Sequence, residues 1–422
     1  METTQQSVSP QTQIDNFDAR TVARHRSGRI WLTIFQISTL IGIIALSALL
    51  YNIINDVAGY AAIEYTVAPT LLTADGVPLR EVSTEELVNI IRANVPAGIV
   101  RQLIRDQELE AYSTDELRDI IEFNVMKPRV RETWKLVPSV VRPNEVIAEA
   151  QEKYPEAFVE FRNWLTFDFI TNPQNSDPML AGIRTAILGS LYIIVIVILT
   201  AFPVGVGAAI YLQEYADTEK WYNRILQTNI NNLAGVPSII YGILGLAVFV
   251  RILEPLTSGA VFGAVETGAS ANGRTIISAG LTLSLLILPV IIINSQEAIK
   301  SVPNSLREAA YGLGATRWQT VWNHVLPNAL PGILTGTIIA VSRAIGETAP
   351  LVVVGASTFI TFDPDGIFSK FTAVPIQIYQ WTARPQDIWR SLAAAAIIVL
   401  LVLLLSFNAI AIYLRNRYRR DW

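Results

Sequence analysis

"SVPNSLREAAYGLGATRWQTVWNHVLPNALPG", residues 301–332, is a polar stretch between two apolar ones, and its punctuation is unusually dense. Ser305 and Glu308 have capping-box spacing just after Pro303, which predicts a helix start there. Gly312 and Gly314 end that helix, and Thr316 with Gln319 repeats the start signal. Pro327 then stands near the end of the second helix. Two short helices joined at a glycine should therefore project between two membrane spans. Ala309 and Ala310 leave little side-chain bulk there, so another protein's surface could approach closely. A well-capped loop packed on its own protein is the plainer reading of the same residues.

The surrounding sequence supports the membrane setting. Of 422 residues, 51% are hydrophobic and 16% charged, against about a quarter charged in soluble domains. Six apolar runs approach or exceed the roughly 20 residues needed to cross a bilayer: Ile30–Ile54, Ile183–Leu212, Leu233–Leu253, Ile276–Ile293, Pro331–Ala356 and Leu392–Leu414. The fold class expected is an all-α integral membrane protein. The first run is longer than a signal-peptide core, so it reads as an uncleaved anchor. Residues 1–29 are expected to be a disordered cytoplasmic segment, polar at its start. Arg20, Arg24, Arg26 and Arg29 precede the first run, and Arg415, Arg417, Arg419 and Arg420 follow the last. Positive charge marks the cytoplasmic side, and an even number of crossings agrees, so both termini are expected inside. The 301–332 stretch then lies inside as well, and residues 416–422 form a basic cytoplasmic tail.

Residues 56–182 lie outside the cell on this topology, as an acidic, mostly helical insert between the first two spans. "STEELVNIIRANV" (83–95) matches "STDELRDIIEFNV" (113–125) thirty residues later. Ser83 with Glu86 and Ser113 with Glu116 are capping boxes, and Leu87, Ile90 and Ile91 recur as Leu117, Ile120 and Ile121. The repeat predicts two related amphipathic helices, as a structural hairpin or as a docking surface for an outside partner. Residues 183–415 are then a five-helix core. Deletion of residues 60–175 is expected to leave that core able to assemble.

Within the fifth run, "AVSRAIGETAP" (340–350) places Arg343 and Glu347 one turn apart among small and apolar neighbours. Pro331 suits a first helical turn, and Gly332, Gly336 and Ala340 form a row that admits a neighbouring helix. Either charge at a bilayer centre costs roughly 2.5–3.5 kcal/mol by insertion scales, so the pair should face a cavity or a partner. A guanidinium cannot lose its charge and forks onto the oxygens of an oxyanion. Arg343 is thus a candidate for an anion path, with Glu347 holding it; an ion pair that only fixes helix packing is the competing reading. Ser342 and Thr348 are weaker candidates, because hydroxyls in membrane helices often bond their own backbone. In "NNLAGVPSIIYGILG" (231–245), Asn232 marks a cytoplasmic end and Pro237 a kink, which suits either a gate or packing alone.

These stretches carry a resemblance. "EAAYGLGATRWQTVWNHVLP" resembles the EAA loop of ABC-importer permeases, with His324 standing where that family usually has an apolar residue. "FPVGVGAAIYLQEYA", "NNLAGVPSIIYGILGL", "SRAIGETAPL" and "AVPIQIYQWTARP" resemble the phosphate-importer permeases of the PstA type. The resemblance covers about residues 165–420 and leaves the insert unaccounted for. It implies the six-helix permease fold of type I ABC importers in a bacterial inner membrane. It also implies that Glu308, Ala309, Ala310, Gly314, Leu326 and Pro327 belong to a loop that docks on an ATPase. The partners implied are a homologous second permease of the PstC type, an ATPase dimer and an extracytoplasmic phosphate-binding protein, with lipid around the spans.

Absences narrow the classes. The chain has no cysteine and only two histidines, His25 and His324, and no carboxylates cluster in the spans. Metal and acid–base chemistry therefore have little to work with. No phosphate-cradling Gly-x-x-x-x-Gly-Lys stretch exists, so the chain is not the ATPase and needs no cofactor of its own; ATP belongs to the partner subunits. Nothing indicates nucleic-acid binding. The function that the resemblance implies, and that these absences allow, is a non-catalytic permease subunit importing inorganic phosphate. A permease for sulfate or molybdate, and a membrane sensor reading signals through residues 56–182, are the alternatives.

Overall fold

Two prolines break helices that the apolar pattern alone would run straight, and these breaks organise the core. The structure, a computed structural model, describes residues 10–67, 72, 81–217, 219–263, 272–356 and 359–418. Expectations for residues 1–9, and for Arg419 and Arg420, lie outside the described residues. The chain divides into two units, Met1–Asn55 and Asp56–Trp422.

The first unit is carried by helix α1, Pro10–Val57. Residues 10–29 are thus helical where disorder was expected. Extending an existing helix adds a hydrogen bond per residue, whereas starting one is costly, so the polar segment continues the apolar one. Thr33, Ser38 and Thr39 donate to the carbonyls of Arg29, Ile34 and Phe35, so these hydroxyls need no outside partner.

The second unit opens with strand β1, Ala58–Tyr65, flanked antiparallel by β2, Pro128–Thr133, and β3, Phe158–Asn163, in the order β2-β1-β3. This sheet is an addition to an insert that is otherwise mostly helical, as expected. Its strands are short, and "PRVRET" and "FVEFRN" alternate polar with apolar residues too briefly to stand out. Helices α2, Thr84–Asn94, and α4, Thr114–Ile121, are the repeat; α3, Ala97–Asp106, lies between them. Ser113 and Glu116 form the reciprocal capping box, while Ser83 accepts from the Glu86 amide. Leu87, Ile91, Leu117 and Ile121 meet in one buried cluster, and the Thr84 and Thr114 hydroxyls lie 3.3 Å apart. Helices α5, Leu136–Val141, α6, Pro143–Lys153, and α7, Phe167–Thr171, complete the insert.

Five helices among the described residues are long and apolar enough to cross a membrane: Arg24–Val57, Arg184–Tyr215, Ile276–Lys300, Arg317–Gly346 and Asp387–Arg417. A sixth crossing would have to be a bent pair. Helix α8, Arg184–Ile210, ends in a wide turn, Tyr211–Tyr215. Helix α9, Trp221–Ala234, then meets α10, Ser238–Gly245 and its wide-turn extension to Ile252, at 108°. The span expected at Leu233–Leu253 with a kink at Pro237 is therefore not one kinked helix but two arms at a sharp bend. The Ser238–Ile252 arm reaches about 22 Å at 1.5 Å per residue, short of the roughly 30 Å hydrocarbon core. After the short α11, Glu254–Thr257, helix α12, Ile276–Lys300, forms the centre of the bundle. Among its buried residues are Leu283, Ile287 and Ile291, in a cluster shared with Val197 of α8 and Ala344. Thr200 of α8 and Ser284 of α12 place their hydroxyls 2.6 Å apart.

Beyond α12 come α13, Asn304–Gly312, α14, Arg317–Thr320, a wide turn to Val325, and α15, Leu326–Gly346. The expected span Pro331–Ala356 is corrected at both ends. Pro331 lies inside α15 instead of starting it, and α15 stops at Gly346. A separate helix α16, Ala349–Val354, follows. Pro350 is the reason, because its ring would collide with the carbonyl four residues back, that of Gly346. Gly332 and Gly336 lie against Ala298 and Asn294 of α12, where any Cβ would collide, and Ala340 is fully buried. Helices α17, Val374–Thr382, and α18, Asp387–Tyr418, close the unit.

Candidate functional site

The bend at Pro237 is built from a missing donor and its replacement. A straight helix would give the Leu233 carbonyl the amide of residue 237, which proline lacks. The Tyr241 hydroxyl donates to that carbonyl instead, at 2.7 Å, and the Val236 amide adds a bond at 3.1 Å. Tyr241 is 5% exposed, so its own hydroxyl is satisfied by the same contact. Asn232 is exposed at the end of α9, where its carbonyl accepts from Gly235. The α9 arm is held to α12 by a reciprocal amide pair, Gln227 and Gln296, at 2.8 and 3.2 Å.

The second break packs against the first. A Cβ on Gly242 of α10 would come within 2.7 Å of the Pro350 Cα and 3.0 Å of Val353. Bent arm and broken helix therefore touch backbone to backbone, and Tyr241, Ala344, Ile345 and Leu351 share one buried cluster. At the C-terminal end of α15, Arg343 Nε lies 3.3 Å from Glu347 Oε1, with side chains 46% and 17% exposed. Glu347 has left the helix, with φ −75° and ψ 125°. The pair therefore spans the break and does not lie on one continuous helix, as the sequence reading had it. The cation also sits where the unpaired carbonyls of the last turn are partly negative, a favourable place for it. The Ser342 hydroxyl donates to Asn408 Oδ1 of α18 at 2.7 Å and not to its own backbone. Thr348 stands half-buried just before α16, with no side-chain cap bond.

The 301–332 stretch forms one short helix, α13, whereas the helix that starts at Arg317 runs on through α15 to Gly346, so Pro327 does not end a second short helix. The Ser305 cap is corrected: α13 starts two residues earlier than that cap would set, with Pro303 as its N-cap and no side-chain bond. Proline's fixed φ already presets that start. The C-terminal end closes as a Schellman motif, with Ala315 N–H to Ala310, Gly314 N–H to Tyr311 and Gly314 at φ 82°. Thr316 and Gln319 form the reciprocal capping box on α14. Glu308 and Ala309 face outward, whereas Ala310 is buried, so only one of the two alanines offers an open surface. Leu326 and Pro327 are half-buried at the start of α15. The sequence reading missed an apolar ledge beside Ala309. Trp318 and Trp322 stack at 5.4 Å and remain 59% and 54% exposed, and Leu313 is 90% exposed. Their spacing, four residues apart just after a capping box, was the available signal.

Residues 201–420 match the family described as "Binding-protein-dependent transport system inner membrane component". The chain is 33% identical over 264 residues to a probable ABC transporter permease, YqgI, of Bacillus subtilis, covering 59% of this chain and 83% of that protein. It is 34% identical over 221 residues to a second from the same organism, YqgH, covering 52% of this chain and 65% of the relative, just under two thirds of its length. The phosphate transport system permease protein PstA of Mycobacterium leprae is 35% identical over 243 residues, with 56% and 72% covered. Among solved structures, the inward-facing MetNI methionine ABC transporter aligns at 16% identity with a TM-score of 0.41, covering 58% of this chain and 97% of that one. This chain belongs to the binding-protein-dependent inner-membrane transport components. The matched stretch leaves residues 56–182 outside it.

Proposed function

We propose that this family member is the permease subunit of an ATP-driven importer that carries inorganic phosphate into the cell. The observation that carries the reading is Arg343. It is a half-exposed guanidinium at a helix break inside apolar sequence, and among the described residues Glu347 holds it on one side only. A cation so placed in a bilayer must face a water-filled path or a partner, and its free N–H groups suit an oxyanion. The name of the Mycobacterium leprae relative supports phosphate as the anion. Glu347 limits over-tight binding by sharing the charge, and the bend at Pro237 with Asn232 serves as the adjoining gate.

In this reading the chain crosses a bacterial inner membrane six times, the α9–α10 pair forming one broken crossing. Both termini are cytoplasmic, by the arginine bias and parity, and residues 56–182 form an extracytoplasmic insert. The loop containing Glu308, Ala309, Gly314 and the tryptophan ledge docks on a separate ATPase dimer, which binds the ATP. A second permease of the PstC type faces Arg343, and an extracytoplasmic binding protein delivers phosphate. No cofactor is held by this chain itself.

The test is uptake of labelled phosphate by the complex in proteoliposomes, with sulfate or molybdate as competitors. Uptake that needs ATP and resists both competitors is expected. Competition by sulfate or molybdate at equal concentration would reassign the substrate. A crosslinker placed at Ala309 should capture the ATPase; no capture would favour a sensor over a permease.

A further inference from the structure

One buried ion pair lies away from the proposed path. Arg307 in α13 and Glu214 in the wide turn ending α8 have side chains only 14% and 7% exposed. All five N–H groups of the guanidinium have acceptors. Nε points to Glu214 Oε1 at 3.2 Å, and Nη2 donates to the same oxygen at 2.7 Å and to the Ile299 carbonyl at 3.0 Å. Nη1 donates to the Val302 carbonyl at 2.7 Å and to Asn304 Oδ1 at 3.3 Å. Ile299 belongs to the last turn of α12, whose carbonyls have no partner within the helix. One planar group therefore joins the docking loop to the ends of two core helices. Beneath it, Ile299, Val302, Val325 and Ile333 pack as a single buried cluster with Leu306 and Leu212.

We propose that Arg307 is the joint that passes movement of the docking loop to α8 and α12. The inference rests on the permease reading of that loop. Arg307 does not touch substrate; it positions three elements as one rigid piece. The tryptophans and Ala309 on the exposed face can dock on an ATPase without it. A push on that face reaches α8 only through contacts that do not yield, and a guanidinium with all five N–H groups bonded is such a contact between these elements. Lysine would keep the charge but lose the fork, offering three donors on a flexible stem.

The experiment compares the reconstituted complex with its Arg307→Lys and Glu214→Gln variants, measuring ATP hydrolysed per phosphate imported. Both variants are expected to co-purify with the ATPase and to hydrolyse ATP, with that ratio raised about tenfold in Arg307→Lys and less in Glu214→Gln. An unchanged ratio overturns the proposal, whether transport and hydrolysis stay at wild-type level or fall together, because the pair is then structural. Failure of both variants to accumulate in the membrane also overturns it, for the same reason. If the wild-type complex imports no phosphate with ATP, the permease reading itself fails, which separates the two outcomes.

Discussion

At the scale of single residues, the chain replaces what its prolines remove. Pro237 takes away one amide, and the Tyr241 hydroxyl fills the vacancy at the Leu233 carbonyl. Tyr241→Phe leaves that carbonyl with a weaker set of donors, at a cost of about 1–3 kcal/mol for an unmade buried bond. The expected result is a lower melting temperature of the purified protein with its helix content unchanged. An unaltered melting temperature would mean that the tyrosine is not what holds the bend. Much at this scale was legible in the sequence: Pro237 as a kink, Arg343 with Glu347 as a pair, Thr316 with Gln319 as a cap. Tyr241 was not, since its role depends on a carbonyl eight residues earlier that only the bend brings within reach. Arg307 and Glu214 were not either, because 93 residues separate them and no local pattern joins them.

At the scale of elements, hydropathy overestimates continuity. Apolar composition drew one straight span over Pro331–Ala356, yet Pro350 ends α15 at Gly346 and starts α16. The signal was present in "GETAP", but it was read as charge placement and not as a helix stop. Pro350→Ala removes the clash with the Gly346 carbonyl and should let α15 run on. Spin labels at Ile339 and Val352 would then move apart, toward the roughly 20 Å expected of thirteen helical residues, and transport should fall without loss of membrane protein. Labels that keep their wild-type separation would show that packing against Gly242, and not the proline, makes the break. The three strands escaped detection for a different reason: each is short, and the pairings that stabilise them come from residues up to about a hundred positions apart.

At the scale of the whole molecule, the second unit ties the insert to the core more closely than the sequence suggested. Phe169, 4% exposed, meets the Trp381 ring at 5.9 Å. The Gln174 side chain accepts from the Ile360 amide at 3.0 Å, and the Thr171 carbonyl accepts from Arg184 Nη1 at 2.7 Å. Deletion of residues 60–175 therefore strips buried contacts from the core, against the expectation that the core would assemble without them. Loss of the assembled protein is the predicted outcome, read as its absence from the membrane fraction. A shorter excision of residues 81–126, which removes α2 to α4 but keeps Phe169 and Gln174, should be tolerated. Equal recovery of both deletions would contradict this account of how insert and core are joined.

The central claim is that Arg343 lines the path of the anion, and phosphate uptake by an Arg343→Gln complex at matched membrane abundance tests it most directly. Glutamine keeps a polar side chain at the break but removes the fixed charge. Uptake is predicted to fall by about tenfold or more, as for other losses of a charged contact at a site, while the ATPase still co-purifies. Uptake at the wild-type rate would contradict the claim and leave the Arg343–Glu347 pair as a fastener between helices.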